Sequence, residues 1–138
     1  AEREHAGEGV RFVQADAKDT HLPGGAFDVI FSNSILHHVS DPAALWAELR
    51  RLGRGGALVL LRDLARPASE GEAHELVDAH AGDETPTLRE EYYRSLLAAY
   101  EPAEVRAQLS AAPLPGLHVA MISDRHFDVW GRLPGGGD

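Results

Sequence analysis

Residues 27–63, FDVIFSNSILHHVSDPAALWAELRRLGRGGALVLLRD, decide the fold, because two apolar runs flank one amphipathic helix. Residues 27–31 are apolar apart from Asp28, which suits a strand buried on both faces of a parallel sheet. Residues 57–61, following Gly55 and Gly56, form a second run of the same kind. Between them, Ser40-Asp41-Pro42 reads as a helix cap followed by proline in the first turn. Leu45, Trp46, Leu49 and Leu52 then fall at helical spacing, Arg50 and Arg51 suit the last turn, and Gly53 ends it. A helix of this length between two apolar strands is the usual parallel crossover.

Working outward, residues 10–15 form a β-prone run after Gly7-Glu8-Gly9 and end at Asp16-Ala17, before a polar stretch closed by Leu22-Pro23-Gly24-Gly25. This is read as the first strand. Downstream the pattern turns helical: Ser69 with Glu72, and Thr87 with Glu90, fit capping boxes, and Leu88, Tyr92, Leu96 and Tyr100 repeat every four residues. Pro102 starts a further helix carrying Val105, Leu109 and Ala112. Residues 117–122 and 127–131 are strand-like and separated by Ser123-Asp124-Arg125-His126, too short a link for a parallel crossover, so they should pair antiparallel. The expected class is α/β, mostly parallel, with a C-terminal antiparallel hairpin and a helical insertion. One partial domain spans residues 1–133, the insertion or cap spans 69–112, residues 134–138 read as a flexible tail, and residues 1–7 look like the end of a helix.

The 138 residues suffice for one domain. No stretch approaches the roughly 20 apolar residues of a membrane helix, and no secretory signal opens the chain, so no membrane association is expected. Cysteine is absent, which excludes thiolate chemistry and fits a reducing, cytoplasmic compartment. The net charge of −9, with thirteen scattered Lys and Arg, argues against a nucleic acid partner.

Ligands of open parallel sheets bind beyond the carboxyl ends of the strands. Three loops meet that condition: Asp16-Ala17, residues 32–38, and Arg62-Asp63. The succession Val13-Gln14-Ala15-Asp16-Ala17, Leu22-Pro23, Phe27-Asp28-Val29-Ile30, Leu36-His37-His38-Val39, Asp41-Pro42 and Gly55-Gly56, with the final hairpin, resembles class I S-adenosylmethionine-dependent methyltransferases of the small-molecule type. The resemblance runs over residues 5–132 and is strongest at 10–63. It implies an incomplete Rossmann-like methyltransferase sheet, S-adenosylmethionine as cofactor and a small-molecule methyl acceptor. It places Asp16 and Ala17 at the adenine, and Ser32, Asn33 and Ser34 at the methionine end of the cofactor. His37 matches the same segment and is the candidate catalytic base, with His38 beside it as the other candidate; a histidine bonded to backbone is the alternative. Asp16 capping a turn, and Asp28 bonding backbone, are the corresponding structural readings. Metal binding by His37, His38 and Asp41 is not expected, because adjacent histidines project differently.

The resemblance also shows what the sequence does not contain. No strand, glycine-rich loop and helix precede Val10, and neither Gly53-Arg54-Gly55-Gly56 nor Gly135-Gly136-Gly137 stands where that loop is needed. The family's strand order puts the two missing strands between the first and second strands of this chain. Three outcomes follow: a fragment of a longer product, direct pairing of the flanking strands, or a gap filled by another polypeptide, with self-association through unpaired strand edges as a corollary. A non-catalytic scaffold or oligomerisation module is the rival functional reading. Arg62 and Asp63 are candidates to position substrate, with a mutual ion pair as the plain alternative, and Tyr92, Tyr93 and Tyr100 are candidates to line the cap. Asp124, Arg125 and His126 are given no catalytic role.

Overall fold

The hydrogen-bonded ladder between β1 (Phe27–Asn33) and β2 (Gly53–Leu64) is parallel, with Ile30 opposite Val59 and Asn33 opposite Arg62. The computed structural model describes residues 9–135, so the helix end expected at 1–7 and tail residues 136–138 lie outside the described residues. Helix α1 (Pro42–Leu52) makes the crossover. Its start is set by Asp41, whose carboxylate accepts from the Ala44 amide at 3.3 Å, and by proline, whose missing N–H is harmless in the first turn. Two further strands, β3 (Leu117–Met121) and β4 (His126–Arg132), form the expected antiparallel hairpin. Strand β4 also pairs antiparallel with β2, giving the order β1-β2-β4-β3. Gly131, at φ 143, lets β4 close on Gly116, because a Cβ there would collide with the Gly116 carbonyl.

The core lies on one face of this sheet. Trp46 and Leu49 of α1 pack with Val59, Leu61, Val129 and Phe127, joined by Val105 and Leu109 of α4 (Pro102–Ala111). Trp46 is fully buried, and its indole N–H donates to Gln108 Oε1 at 2.9 Å, tying α1 to α4. Helices α2 (Glu70–Ala81) and α3 (Pro86–Ala98) form a separate hairpin around Ala73, Val77, Ala81 and Leu96. The helical stretch 69–112 therefore divides: α4 belongs to the sheet core, while α2 and α3 stand apart from it. Ser69 caps α2 as expected, accepting from the Glu72 amide. The cap of α3 is Thr85, not Thr87, because Pro86 occupies the first turn and leaves Thr87 inside the helix. The four-residue stripe is also interrupted: Leu88 is exposed and Tyr100 lies beyond the end of α3.

Two expectations are overturned. Residues 10–15 form no strand; a tight turn follows, in which the Asp19 amide donates to the Asp16 carbonyl at 2.9 Å. Among the described residues β1 pairs with β2 alone, and a strand is made by the ladder it joins, so direct pairing of the flanking strands does not occur. Second, β1 is not buried on both faces. Phe31 opposes Leu60, Leu60 opposes Trp130, and Trp130 opposes His118, so one row of side chains crosses all four strands on the face away from α1. Phe31 is 78% exposed there, and Val29, Leu58, Leu60 and Trp130 are exposed beside it. Asp28, expected to bond backbone, is exposed and pairs with Arg54 at 3.0 Å. No described helix is long and apolar enough to cross a membrane.

Trp46→Ala should destabilise the chain by about 3–5 kcal/mol through cavity formation. Phe31→Ser, on the open face, should change stability by less than about 0.5 kcal/mol while reducing self-association. Urea unfolding and sedimentation velocity measure the two effects.

Candidate functional site

The segment after β1 is held to the end of β2 by an unusually complete set of bonds. Ser34 sits at φ 63, a backbone region that L-residues seldom adopt, and its amide donates to the Arg62 carbonyl at 2.8 Å. Its hydroxyl donates to Asn33 Oδ1 at 3.1 Å. A single 3-10 turn, Leu36–His38, follows, anchored by fully buried Leu36. The His37 amide donates to Asp63 Oδ2 at 2.9 Å, and the imidazole Nδ1 meets Asp63 Oδ1 at 2.6 Å. Asp63 Oδ1 also accepts from the Leu64 amide at 2.7 Å. The His37 and Asp63 side chains retain only 6% and 2% of their exposure. Just beyond, the Tyr100 hydroxyl donates to the Val39 carbonyl at 2.9 Å, so the segment between α3 and α4 braces the same loop.

Asp63 thus proves more informative than its sequence position suggested. Strand β2 extends to Leu64, so Arg62 and Asp63 are strand residues pointing to opposite faces. They do not pair with each other: Arg62 makes a two-pronged pair with Asp128 at 2.8 and 3.1 Å, while Asp63 turns inward to His37.

The Asp16 turn is fixed elsewhere. The Asp16 carboxylate accepts from the Lys18 amide at 2.9 Å and from Lys18 Nζ at 3.2 Å, and these bonds, the backbone one first, hold its pKa below the ordinary carboxylate value. Ala17 packs partly against the sheet core. Glu48 of α1, buried and not foreseen from sequence, anchors the turn. Its carboxylate accepts from the Thr20 amide and hydroxyl at 2.8 and 2.5 Å and from Arg51 Nε and Nη2, both at 2.8 Å. Arg51, then Thr20, bring the Glu48 pKa down to about 2. The structure therefore joins Ser34 and His37 to β2, and the Asp16 turn to α1, as two separately anchored groups.

The fit to a nucleoside cofactor is half-complete. An acidic turn and a polar loop are present, but the described glycines provide no backbone cradle. Gly24, Gly53, Gly82, Gly116 and Gly131 lie against protein atoms, Gly55 and Gly56 belong to β2, Gly71 lies in α2, and Gly9 and Gly25 serve turns. Among the described residues no cluster of three or more His, Cys, Asp or Glu could hold a metal ion.

Residues 1–61 match the family described as a methyltransferase domain. No curated protein matches the sequence. Among solved structures, a SAM-dependent methyltransferase from Aquifex aeolicus superimposes with a TM-score of 0.60 at 18% identity, over 94% of this chain and 60% of the other. The trans-methyltransferase CalH in complex with SAH gives 0.65 at 18% identity, over 95% of this chain and 38% of CalH. The [4+2]-cyclase SpnF gives 0.60 at 15% identity, over 96% and 60%. The sheet is therefore an incomplete Rossmann-like sheet of the methyltransferase type, spanning about 60% or less of these three chains.

Glu48→Gln should cost about 1.5–3 kcal/mol at neutral pH, the range for hydrogen bonds to a charged group. Since the folded-state pKa lies below the ordinary 4.5, the stabilisation is complete above about pH 4.5 and is lost as pH falls toward 2. Urea unfolding at several pH values should show that acid-side loss in the natural chain and a flatter profile in the variant.

Proposed function

From this partial methyltransferase sheet, we propose that the chain carries the acceptor-side portion of a domain that transfers a methyl group from S-adenosylmethionine to a small molecule, completed by further sequence or by a second polypeptide. The observation that supports it most is the family match over residues 1–61, which contains Asp16, Ala17, Ser32, Asn33, Ser34 and His37.

Asp16 and Ala17 would meet the adenine, and Ser32, Asn33 and Ser34 would line the methionine end. The cofactor supplies a methyl group already activated on a sulfonium. The protein's task is accordingly alignment and water exclusion, and the bonds that hold Ser34 and His37 against β2 suit it. His37 would accept a proton where the acceptor must lose one. The acceptor would lie toward the α2–α3 hairpin, acting as a cap. A cleft of about 610 Å³ opens beside Ala65, just after β2, lined by Arg66, Glu72, Leu76, Pro102, Met121 and Asp124. That size suits a small molecule.

The second reading, a non-catalytic scaffold or oligomerisation module, draws on the open apolar face of the sheet. The fold match to a cyclase also separates fold from methyl transfer.

Calorimetric titration with S-adenosylhomocysteine decides between them. The isolated chain should give no saturable heat at micromolar ligand. Joined in frame to a strand, glycine-rich loop and second strand from a class I methyltransferase, it should bind with a micromolar Kd or tighter, about −8 kcal/mol, and Asp16→Ala should weaken that binding about tenfold. A correctly folded chimera that binds nothing would favour the scaffold.

A further inference from the structure

The carboxylate of Asp63 makes three hydrogen bonds, and only one of them goes to a side chain. Two N–H donors of the backbone, from His37 and Leu64, define the direction of both oxygens. The third contact, 2.6 Å from Oδ1 to His37 Nδ1, is short and almost entirely shielded from water. A buried carboxylate is acceptor-only when ionised, so the contact requires the proton on Nδ1. That leaves Nε2 with a bare lone pair. No described residue bonds Nε2, and no buried side-chain nitrogen or oxygen lacks a partner, so the remaining 6% of exposure must include this atom.

We propose that Asp63 is the positioning residue that locks His37 as the Nδ1-protonated tautomer and presents Nε2, at the carboxyl ends of β1 and β2, as a proton acceptor. This rests on the reading of His37 as a base. In the step it serves, the acceptor's O–H or N–H bond breaks, the electron pair stays on the acceptor atom, and the proton forms a bond to Nε2. Proton Hδ1 stays on Nδ1, and the imidazolium so formed faces the Asp63 carboxylate. No other group need change charge. Position 63 is thereby distinguished from Arg62, whose pairing with Asp128 on the opposite face of β2 leaves His37 untouched.

An isosteric amide is ambiguous here, because the His37 amide needs an acceptor at Oδ2 and the Leu64 amide needs one at Oδ1, so an asparagine can turn either way. Asp63→Ala removes the acceptor of Nδ1–H outright. Long-range ¹H–¹⁵N spectra of the full chain, with His37 assigned by loss of its signals in His37→Gln, read the tautomer directly in the neutral ring. The natural protein should show a protonated Nδ1 and an unprotonated Nε2, and Asp63→Ala should shift the ring toward the Nε2-protonated tautomer. Arg62→Gln should leave the tautomer unchanged, as a control for general disturbance of β2. A natural chain with Nε2–H overturns the proposal without any variant having to fold, and so does a folded Asp63→Ala chain whose Nδ1–H tautomer is unchanged. The base role of His37 fails separately, if His37→Gln retains full turnover in a completed, cofactor-binding domain.

Discussion

The register between β1 and β2 is the constraint from which the rest of the molecule follows. Setting Asn33 opposite Arg62 brings the end of β1 level with Asp63, so that the chain leaving β1 can donate to a carboxylate on its neighbour. A one-residue slip would turn Asp63 to the open face and Arg62 into the core, removing the anchor of His37 and burying an unpaired charge. The helix between the strands contributes a second anchor, since Glu48 holds the Asp16 turn. Sheet and crossover together therefore fix both groups of residues that the methyltransferase resemblance assigns to a nucleoside.

The same ladder exposes an asymmetry. On the α1 side the sheet is closed by Trp46, Val105 and Leu109, but the opposite face carries Phe31, Leu60 and Trp130 in one row. Parallel strands are ordinarily covered on both faces, and contiguous apolar surface on a soluble domain marks a contact surface. Among the described residues the edge of β1 away from β2 carries no strand, and it adjoins the open face. A single additional α/β segment would close both.

Much of this was legible in the sequence because it is local. The Asp41-Pro42 cap, the helical spacing through Leu52 and the four-residue link of the C-terminal hairpin each depend on neighbours a few positions away. What failed was the part that depends on a partner. Residues 10–15 have strand propensity but join no sheet among the described residues; Phe27 and its neighbours read as doubly buried because the run carries no record of which face is covered. Thr87 misled for a different reason, since proline at 86 moved the cap upstream to Thr85. Within the site, the polar loop after β1 was foreseen, whereas Asp63 with His37 and Glu48 with Thr20 join residues 26 and 28 positions apart, a relation that spacing cannot reveal.

The central claim, that these strand ends form half of a nucleoside pocket closed by a segment adding strands beside β1, is tested most directly by amide hydrogen exchange. The isolated chain should be compared with the chain joined to its complementary strands and glycine loop. Protection should appear in the joined protein at residues 10–15 and at the β1 amides that point away from β2. If those amides exchange equally fast in both while the joined protein is folded, the added strands do not occupy that edge and the account is wrong.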